Sequence, residues 1–144
     1  MELEITRVLP APPAAVYAAI ADPALLRKWW GPQGFTIPSL EFEPRAGRSY
    51  WIEMQPPEGD PFYLVGEFRE VDPATRLAFT FVWEHPDPDD AEMLATLSFR
   101  DLGDSTEVAL TQGPFKTEAR RALHRDGWGD SFDKLERLML DESP

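Results

Sequence analysis

The sequence lacks several features on which whole classes of protein depend. Its 144 residues include no cysteine, which excludes disulfides, thiolate zinc sites and cysteine nucleophiles. It has no apolar run of about 20 residues, the length that spans a bilayer. Residues 1–8 carry neither the basic region nor the apolar segment of a signal peptide. We therefore expect one globular, cytoplasmic domain over residues 1–144.

Basic residues are scarce, and this shortage limits the partners we expect. Lys and Arg number 14 against 26 Asp and Glu, which gives a formal net charge of -12. A protein that binds nucleic acid or an anionic membrane needs a basic surface that displaces counterions from phosphates. We expect no nucleic acid and no membrane among the partners.

Familiar catalytic motifs are also missing. The sequence has no Gly-x-Ser-x-Gly elbow, phosphate-binding loop, dinucleotide fingerprint or zinc-protease helix. Histidine occurs only at His85 and His124. His85 belongs to the proline-rich acidic stretch 85–90, which lacks the spacing and the turn glycine of calcium loops. We predict a mobile, solvated loop there, and we expect no metal, no cofactor and no catalytic residues.

The sequence does contain a clear change of hydrophobic period along the chain. Residues 2–9 predict a strand, and residues 14–21 and 24–29 predict two short helices bounded by prolines. Beyond residue 36 the period becomes two, with turn residues between the runs, which predicts an antiparallel meander of about six strands. These runs are 36–43, 48–55, 62–71, 76–84, 93–99 and 108–110.

Residues 116–140 predict one long C-terminal helix. Trp128, Phe132, Leu135 and Met139 recur at intervals of four and three, which makes one apolar stripe. Strands followed by a single long helix indicate an α+β fold, in which the sheet buries its apolar face under that helix.

The same helix contains two glycines that interrupt its pattern. Gly127 and Gly129 should each cost roughly 1 kcal/mol relative to alanine. Upstream of them, Ala119, Ala122 and Leu123 lie nearly opposite the apolar stripe. We predict a bend or break near Gly127, with the upstream turns packing elsewhere as a gate.

Several motifs, taken in order, resemble the homologues of the heat-shock protein 90 ATPase activator. They are Ala11-Pro12-Pro13-Ala14-Ala15-Val16-Tyr17, Asp22-Pro23, Trp29-Trp30-Gly31-Pro32, Gly66-Glu67-Phe68-Arg69-Glu70-Val71-Asp72-Pro73, Arg76-Leu77-Ala78-Phe79-Thr80 and His124-x-x-Gly127-Trp128. The family belongs to the START-like (SRPBCC) superfamily, so the resemblance implies the helix-grip fold, with an apolar cavity between the sheet and the C-terminal helix. It does not imply one activity, since the superfamily includes lipid carriers, hormone receptors, aromatase/cyclases and a co-chaperone domain.

Large side chains on the predicted inward faces are the candidates for lining that cavity. The candidate ligand-binding residues are Trp30, Tyr50, Met54, Phe68, Phe81, Trp83, Leu97, His124, Trp128, Phe132 and Leu135. His124 precedes Trp128 by one helical turn, so it is the candidate polar group for orienting a ligand or exchanging a proton. The alternative is that these residues simply fill the core. Of Trp29 and Trp30, we expect one to be buried and the other to lie at the surface.

The leading functional hypothesis is binding of a hydrophobic or aromatic small molecule without catalysis. One alternative is a cyclase- or hydratase-type enzyme acting on a polyketide-like or aromatic substrate, with His124 in its pocket. A second is a co-chaperone-like protein-binding module. Two hypotheses about partners also stay open: a second copy of this chain, in a homodimer, and a chaperone.

Overall fold

The main element of the protein is a single seven-stranded antiparallel sheet. The computed structural model of the protein describes residues 1–142. The strands lie in the spatial order β1-β7-β6-β5-β4-β3-β2. The elements are β1 (Leu3–Leu9), α1 (Pro13–Ala21), α2 (Pro23–Leu26), β2 (Leu40–Glu41), β3 (Ser49–Met54), β4 (Phe62–Asp72), β5 (Arg76–Trp83), β6 (Met93–Asp101), β7 (Thr106–Gly113) and α3 (Glu118–Glu142). The predicted α+β helix-grip architecture is confirmed. Within residues 1–142, no helix has the length and apolar character needed to cross a membrane.

Helix α3 buries the stripe that its sequence predicts. Trp128, Phe132, Leu135 and Met139 are all buried, and His124, one turn upstream, extends the buried side. Side chains spaced by three and four residues share one face of a helix, so this face lies against the sheet.

The predicted break in this helix is wrong, because α3 runs without interruption from Glu118 to Glu142. A Cβ atom added at Gly127 would meet only Pro32, at 3.7 Å, and one added at Gly129 would meet no atom within 4 Å. Neither glycine is therefore required by close packing. Since the helix is continuous, the turns upstream of Gly127 are not a separate element, and a bend at Gly127 stays a prediction.

The segment that follows α1 differs in detail from its prediction. Helix α2 is limited to Pro23–Leu26, where the Asp22 side chain accepts a hydrogen bond from the Ala24 N–H at 2.9 Å. Trp29 and Trp30 are both buried, so the prediction of one surface tryptophan is wrong. The Trp29 indole donates to a backbone carbonyl of α1, which anchors it in the core.

The strand predicted at 36–43 is reduced to a single bridge at Thr36 and the two residues of β2. Pro38 interrupts this run, and proline cannot donate to a strand ladder. Just before it, Gly31 has φ +95, a conformation that side chains other than glycine rarely adopt, so the chain turns there. This turn brings residues 30–34 against α3.

Close packing between β3, β4 and β5 depends on Gly66. A Cβ atom there would lie 2.1 Å from the Thr80 carbonyl oxygen and 2.8 Å from the Tyr50 hydroxyl. The Tyr50 hydroxyl donates to that same carbonyl at 2.6 Å, and the Thr80 hydroxyl accepts the Glu67 N–H at 2.8 Å. Side-chain hydrogen bonds thus join both β3 and β4 to β5, and the β4–β5 ladder shifts register between Phe68 and Glu70.

Aromatic rings fill the core at this part of the sheet. The rings of Phe42, Tyr50, Phe68 and Phe79 all lie within 6.2 Å of one another. Such density leaves no room for a ligand beside them. The space under α3 lies elsewhere, where β3 and β5 end and β4 begins.

Candidate functional site

A cavity of about 570 Å³ lies between α3 and this end of the sheet. Met54 ends β3, Phe62 begins β4 and Trp83 ends β5, and all three border the cavity. On the helix side it is bordered by residues from Arg120 to Ser131. The strands contribute apolar side chains, whereas the polar groups come both from α3 and from the residues that follow β5.

Aromatic side chains make up much of the wall. Trp30 meets Trp128 with ring centroids 5.2 Å apart, and Phe81 meets Trp83 at 5.3 Å. Both pairs are edge-to-face, the arrangement that aromatic quadrupoles favour. The wall therefore presents ring faces and edges to any molecule inside.

A buried chain of polar side chains runs behind this wall. The Trp128 Nε1–H donates to Gln112 Oε1 at 2.7 Å. Gln112 Nε2 lies 3.5 Å from His124 Nδ1 and donates to Met93 Sδ at 3.7 Å. Gln112 is thus the centre of the chain, and it links strand β7 to helix α3.

His124 is neutral in this setting. Its ring is enclosed by Phe81, Trp83 and Phe115, with centroids 5.1–5.9 Å away. Burial lowers the pKa of His124 from 6.5 to about 4, with a smaller opposing effect of Asp90 and a lowering effect of Arg120. Burial dominates because removing the imidazolium from water is more unfavourable than its attraction to one nearby carboxylate is favourable.

Residues 30–34 close one side of the cavity mouth and are bonded to α3. The Ser131 hydroxyl accepts the Gly31 N–H at 3.0 Å, and its one proton faces the carbonyls of Gly127 at 2.9 Å and of Gly31 at 3.2 Å. At the neighbouring position of α3, the Gln33 N–H donates to Asp130 Oδ2 at 3.1 Å. Because the Ser131 contact is buried, this side of the mouth is firmly held.

Residues 85–90, which we call the acidic loop, close the other side. Arg120 on α3 pairs with Asp87 at 2.9 Å and with Asp90 at 3.6 Å. Lys116 donates to the Pro88 carbonyl at 3.2 Å. The acidic loop is therefore tethered to the helix by charged side chains. Within residues 1–142, no cluster of three or more His, Asp or Glu side chains is placed to hold a metal ion.

The structure divides the predicted site residues into two groups. Those that border the cavity are Trp30, Met54, Phe81, Trp83, His124 and Trp128. Those that lie in the filled core, away from it, are Tyr50, Phe68, Leu97, Phe132 and Leu135. All of them face inward, as the alternation predicts. Alternation shows which face of the sheet a side chain occupies. It does not show where along that face the core is filled and where a cavity begins.

The sequence interpretation missed Gln112, Arg120 and Ser131. A usable signal existed for Gln112, since it continues the inward series Thr106, Val108, Leu110 of β7. A glutamine at an apolar phase of a strand needs a buried partner. For Arg120 and Ser131 no local pattern marks the role, because their partners lie far away in the sequence.

The sequence also matches a known protein family. Residues 10–139 match the family described as "Activator of Hsp90 ATPase homolog 1-like protein". The chain belongs to this family. The predicted resemblance is thereby confirmed, and membership suggests a ligand-binding fold without naming a ligand. No curated protein matches the sequence.

Solved structures of similar proteins agree with this family's fold. A protein from Chromobacterium violaceum is 28% identical with a TM-score of 0.87, over 96% of each chain. The AHSA1 protein from Silicibacter pomeroyi is 25% identical with a TM-score of 0.88, over 99% of this chain and 100% of that one. A protein from Nitrosomonas europaea is 28% identical with a TM-score of 0.83, over 99% of this chain and 96% of that one. The whole domain is thus shared, from β1 to α3.

Proposed function

We propose that this protein binds a small hydrophobic or aromatic molecule in the cavity between α3 and the sheet. The observation that carries the proposal is the cavity itself, about 570 Å³ beside an otherwise closely packed aromatic core. Small-molecule sites are typically concave, mostly apolar and roughly 300–1,000 Å³ in volume. Its size and its aromatic wall both fall within that description.

Apolar side chains at the mouth support the same proposal. Phe62 and Leu123 border the cavity and are 38% and 58% exposed. A bound apolar molecule would remove part of this surface from water, which is favourable by about 25 cal/mol per Å². Against the entropic cost of association, we expect a dissociation constant on the order of 1–100 µM for a bicyclic aromatic probe.

The charges at the mouth favour an uncharged ligand over an anion. Glu84, Asp87 and Asp90 border the cavity, and Arg120 is the basic residue opposite them. Its guanidinium is already paired with Asp87 and Asp90. An anionic ligand would meet this negative surface on a protein whose net charge is -12.

A fluorescence titration with a matched pair of variants tests the proposal. The probe is 6-propionyl-2-dimethylaminonaphthalene, a neutral fluorophore whose emission depends on the polarity around it. In Gly127→Leu the new side chain starts at a residue that borders the cavity, whereas in Gly129→Leu it starts where no atom lies within 4 Å. Both exchange a helical glycine for leucine, so their effects on helix propensity are the same.

We expect saturable binding to the natural protein and to Gly129→Leu, and at least tenfold weaker binding to Gly127→Leu. Absence of saturable binding to the natural protein would refute the proposal. Equal affinity in all three proteins would also refute it, because the probe would then bind outside the cavity.

A further inference from the structure

The hydrogen bonds behind the cavity wall fix which nitrogen of His124 carries its proton. An indole nitrogen only donates, so the atom of Gln112 that lies 2.7 Å from Trp128 Nε1 is the amide oxygen. The other end of that amide, Nε2, is then directed towards His124 Nδ1 and Met93. Since Nε2 of Gln112 can only donate, His124 Nδ1 is the acceptor.

In a neutral imidazole one nitrogen accepts and the other carries the hydrogen. With Nδ1 accepting from Gln112, the hydrogen lies on Nε2. The bonding directions of the two ring nitrogens diverge, and His124 borders the cavity while its Nδ1 faces strand β7. Among residues 1–142 no hydrogen bond or ion pair involves His124 Nε2. The Nε2–H is therefore a donor available to the cavity.

The rings that enclose this donor are aromatic, and the charged groups that act on it are Asp90 and Arg120, which are paired with each other. Phe81, Trp83 and Phe115 enclose the ring, and the Trp128 indole N–H, which would otherwise be a second donor, is already bonded to Gln112. In an apolar environment a single N–H discriminates strongly between molecules that can accept its hydrogen bond and molecules that cannot. The position of this N–H thus bears on ligand identity.

We propose that the ligand carries an uncharged hydrogen-bond acceptor, such as a ketone or another carbonyl oxygen, on its apolar body, and that this oxygen accepts the Nε2–H of His124. Gln112 acts as a positioning residue, because it holds the imidazole in the tautomer that donates. The proposal rests on the proposed function and adds the chemical class of the ligand. A carboxylate is disfavoured by the acidic residues at the mouth, and an alcohol that must donate finds no acceptor on this ring.

The tautomer can be measured without any ligand, by nitrogen-15 NMR of the histidine side chains at pH 7. Only two histidines contribute signals, and His85, whose side chain is 91% exposed, provides the internal reference. We expect His124 to show a protonated Nε2 and an unprotonated Nδ1. A protonated Nδ1, or a cationic ring, would overturn the proposal.

Binding of two probes of matched shape tests the ligand class. The probes are 2-acetylnaphthalene and 2-isopropenylnaphthalene, in which a CH₂ group replaces the carbonyl oxygen. We expect the ketone to bind roughly three- to tenfold more tightly, the ratio for one net hydrogen bond. In His124→Phe this ratio should fall to about one, and in Gln112→Met, where the imidazole is no longer held in one tautomer, the ratio should lie between one and that of the natural protein.

Infrared spectroscopy adds a readout that a purely structural role of His124 would not change. The carbonyl stretch of bound 2-acetylnaphthalene, labelled with carbon-13, should lie at lower frequency in the natural protein than in His124→Phe. If both probes bind with equal affinity and the stretch is the same in both proteins, the carbonyl assignment is wrong while the proposed function stands. If neither probe binds, the proposed function itself has failed.

Discussion

Replacing His124 should remove a defined part of the pH dependence of stability. The pKa of this histidine is about 4 in the folded protein, against an ordinary value of 6.5, because the ring is buried. As the pH falls below 6.5, His124 binds a proton in the unfolded chain but stays unprotonated in the folded protein. This contribution to stability is complete above pH 6.5 and is lost as the pH falls towards 4.

The magnitude follows from the size of the shift. Each pKa unit corresponds to about 1.36 kcal/mol, so the full effect below pH 4 is about 3 kcal/mol. Between pH 7 and pH 5 the predicted loss is about 2 kcal/mol. For a domain whose total stability is about 5–15 kcal/mol, such a loss is easily measured.

Urea denaturation at pH 7 and pH 5 provides the assay, with His124→Gln and His85→Gln as a matched pair. Carboxylates also titrate in this range, but they do so equally in all three proteins. The natural protein and His85→Gln should therefore lose about 2 kcal/mol more than His124→Gln does. An equal loss in His124→Gln would mean that His124 is not buried in its neutral form.

Three further substitutions test the fold and the mouth of the cavity. Gly66→Ala should destabilise the protein by roughly 3 kcal/mol or more, because its Cβ would lie 2.1 Å from the Thr80 carbonyl oxygen. Gly129→Ala is its control and should raise stability by up to about 1 kcal/mol in urea denaturation; similar effects of the two would contradict the packing described. Tyr50→Phe should lower the free energy of unfolding by about 1 kcal/mol, since it removes the hydroxyl that donates to the Thr80 carbonyl. An unchanged midpoint of urea denaturation would count against that hydrogen bond. Arg120→Gln should change global stability by less than about 1 kcal/mol yet accelerate amide exchange in the acidic loop; unchanged exchange would show that the ion pairs do not hold the loop.

Much of the fold was predictable because it depends on local patterns. Alternation of apolar residues defines the two sides of β3 to β7, and intervals of three and four define the buried side of α3. The errors arose where a local pattern was interrupted, as at Pro38, or where a weak helix former was taken as a break, as at Gly127. In α3 the tertiary packing of Trp128 and Phe132 outweighs the low helix propensity of that glycine.

The site was less predictable, because a cavity is a property of packing between distant segments. Phe68 and Phe81 lie on inward faces of adjacent strands, yet one fills the core and the other borders the cavity. Nothing in their sequence neighbourhoods distinguishes them. Arg120 and Asp87 form a pair across the mouth because α3 begins beside the loop after β5. Such pairings are fixed by the tertiary structure alone.

The five tryptophans offer the most direct test of ligand binding in the cavity. Trp30, Trp83 and Trp128 border it, whereas Trp29 and Trp51 do not. The measurement is a titration with 2-acetylnaphthalene, followed through the indole N–H signals of protein labelled with nitrogen-15. We expect the signals of Trp30, Trp83 and Trp128 to shift and saturate with one dissociation constant, while those of Trp29 and Trp51 stay in place. Shifts confined to Trp51, or no saturable shift at all, would contradict it.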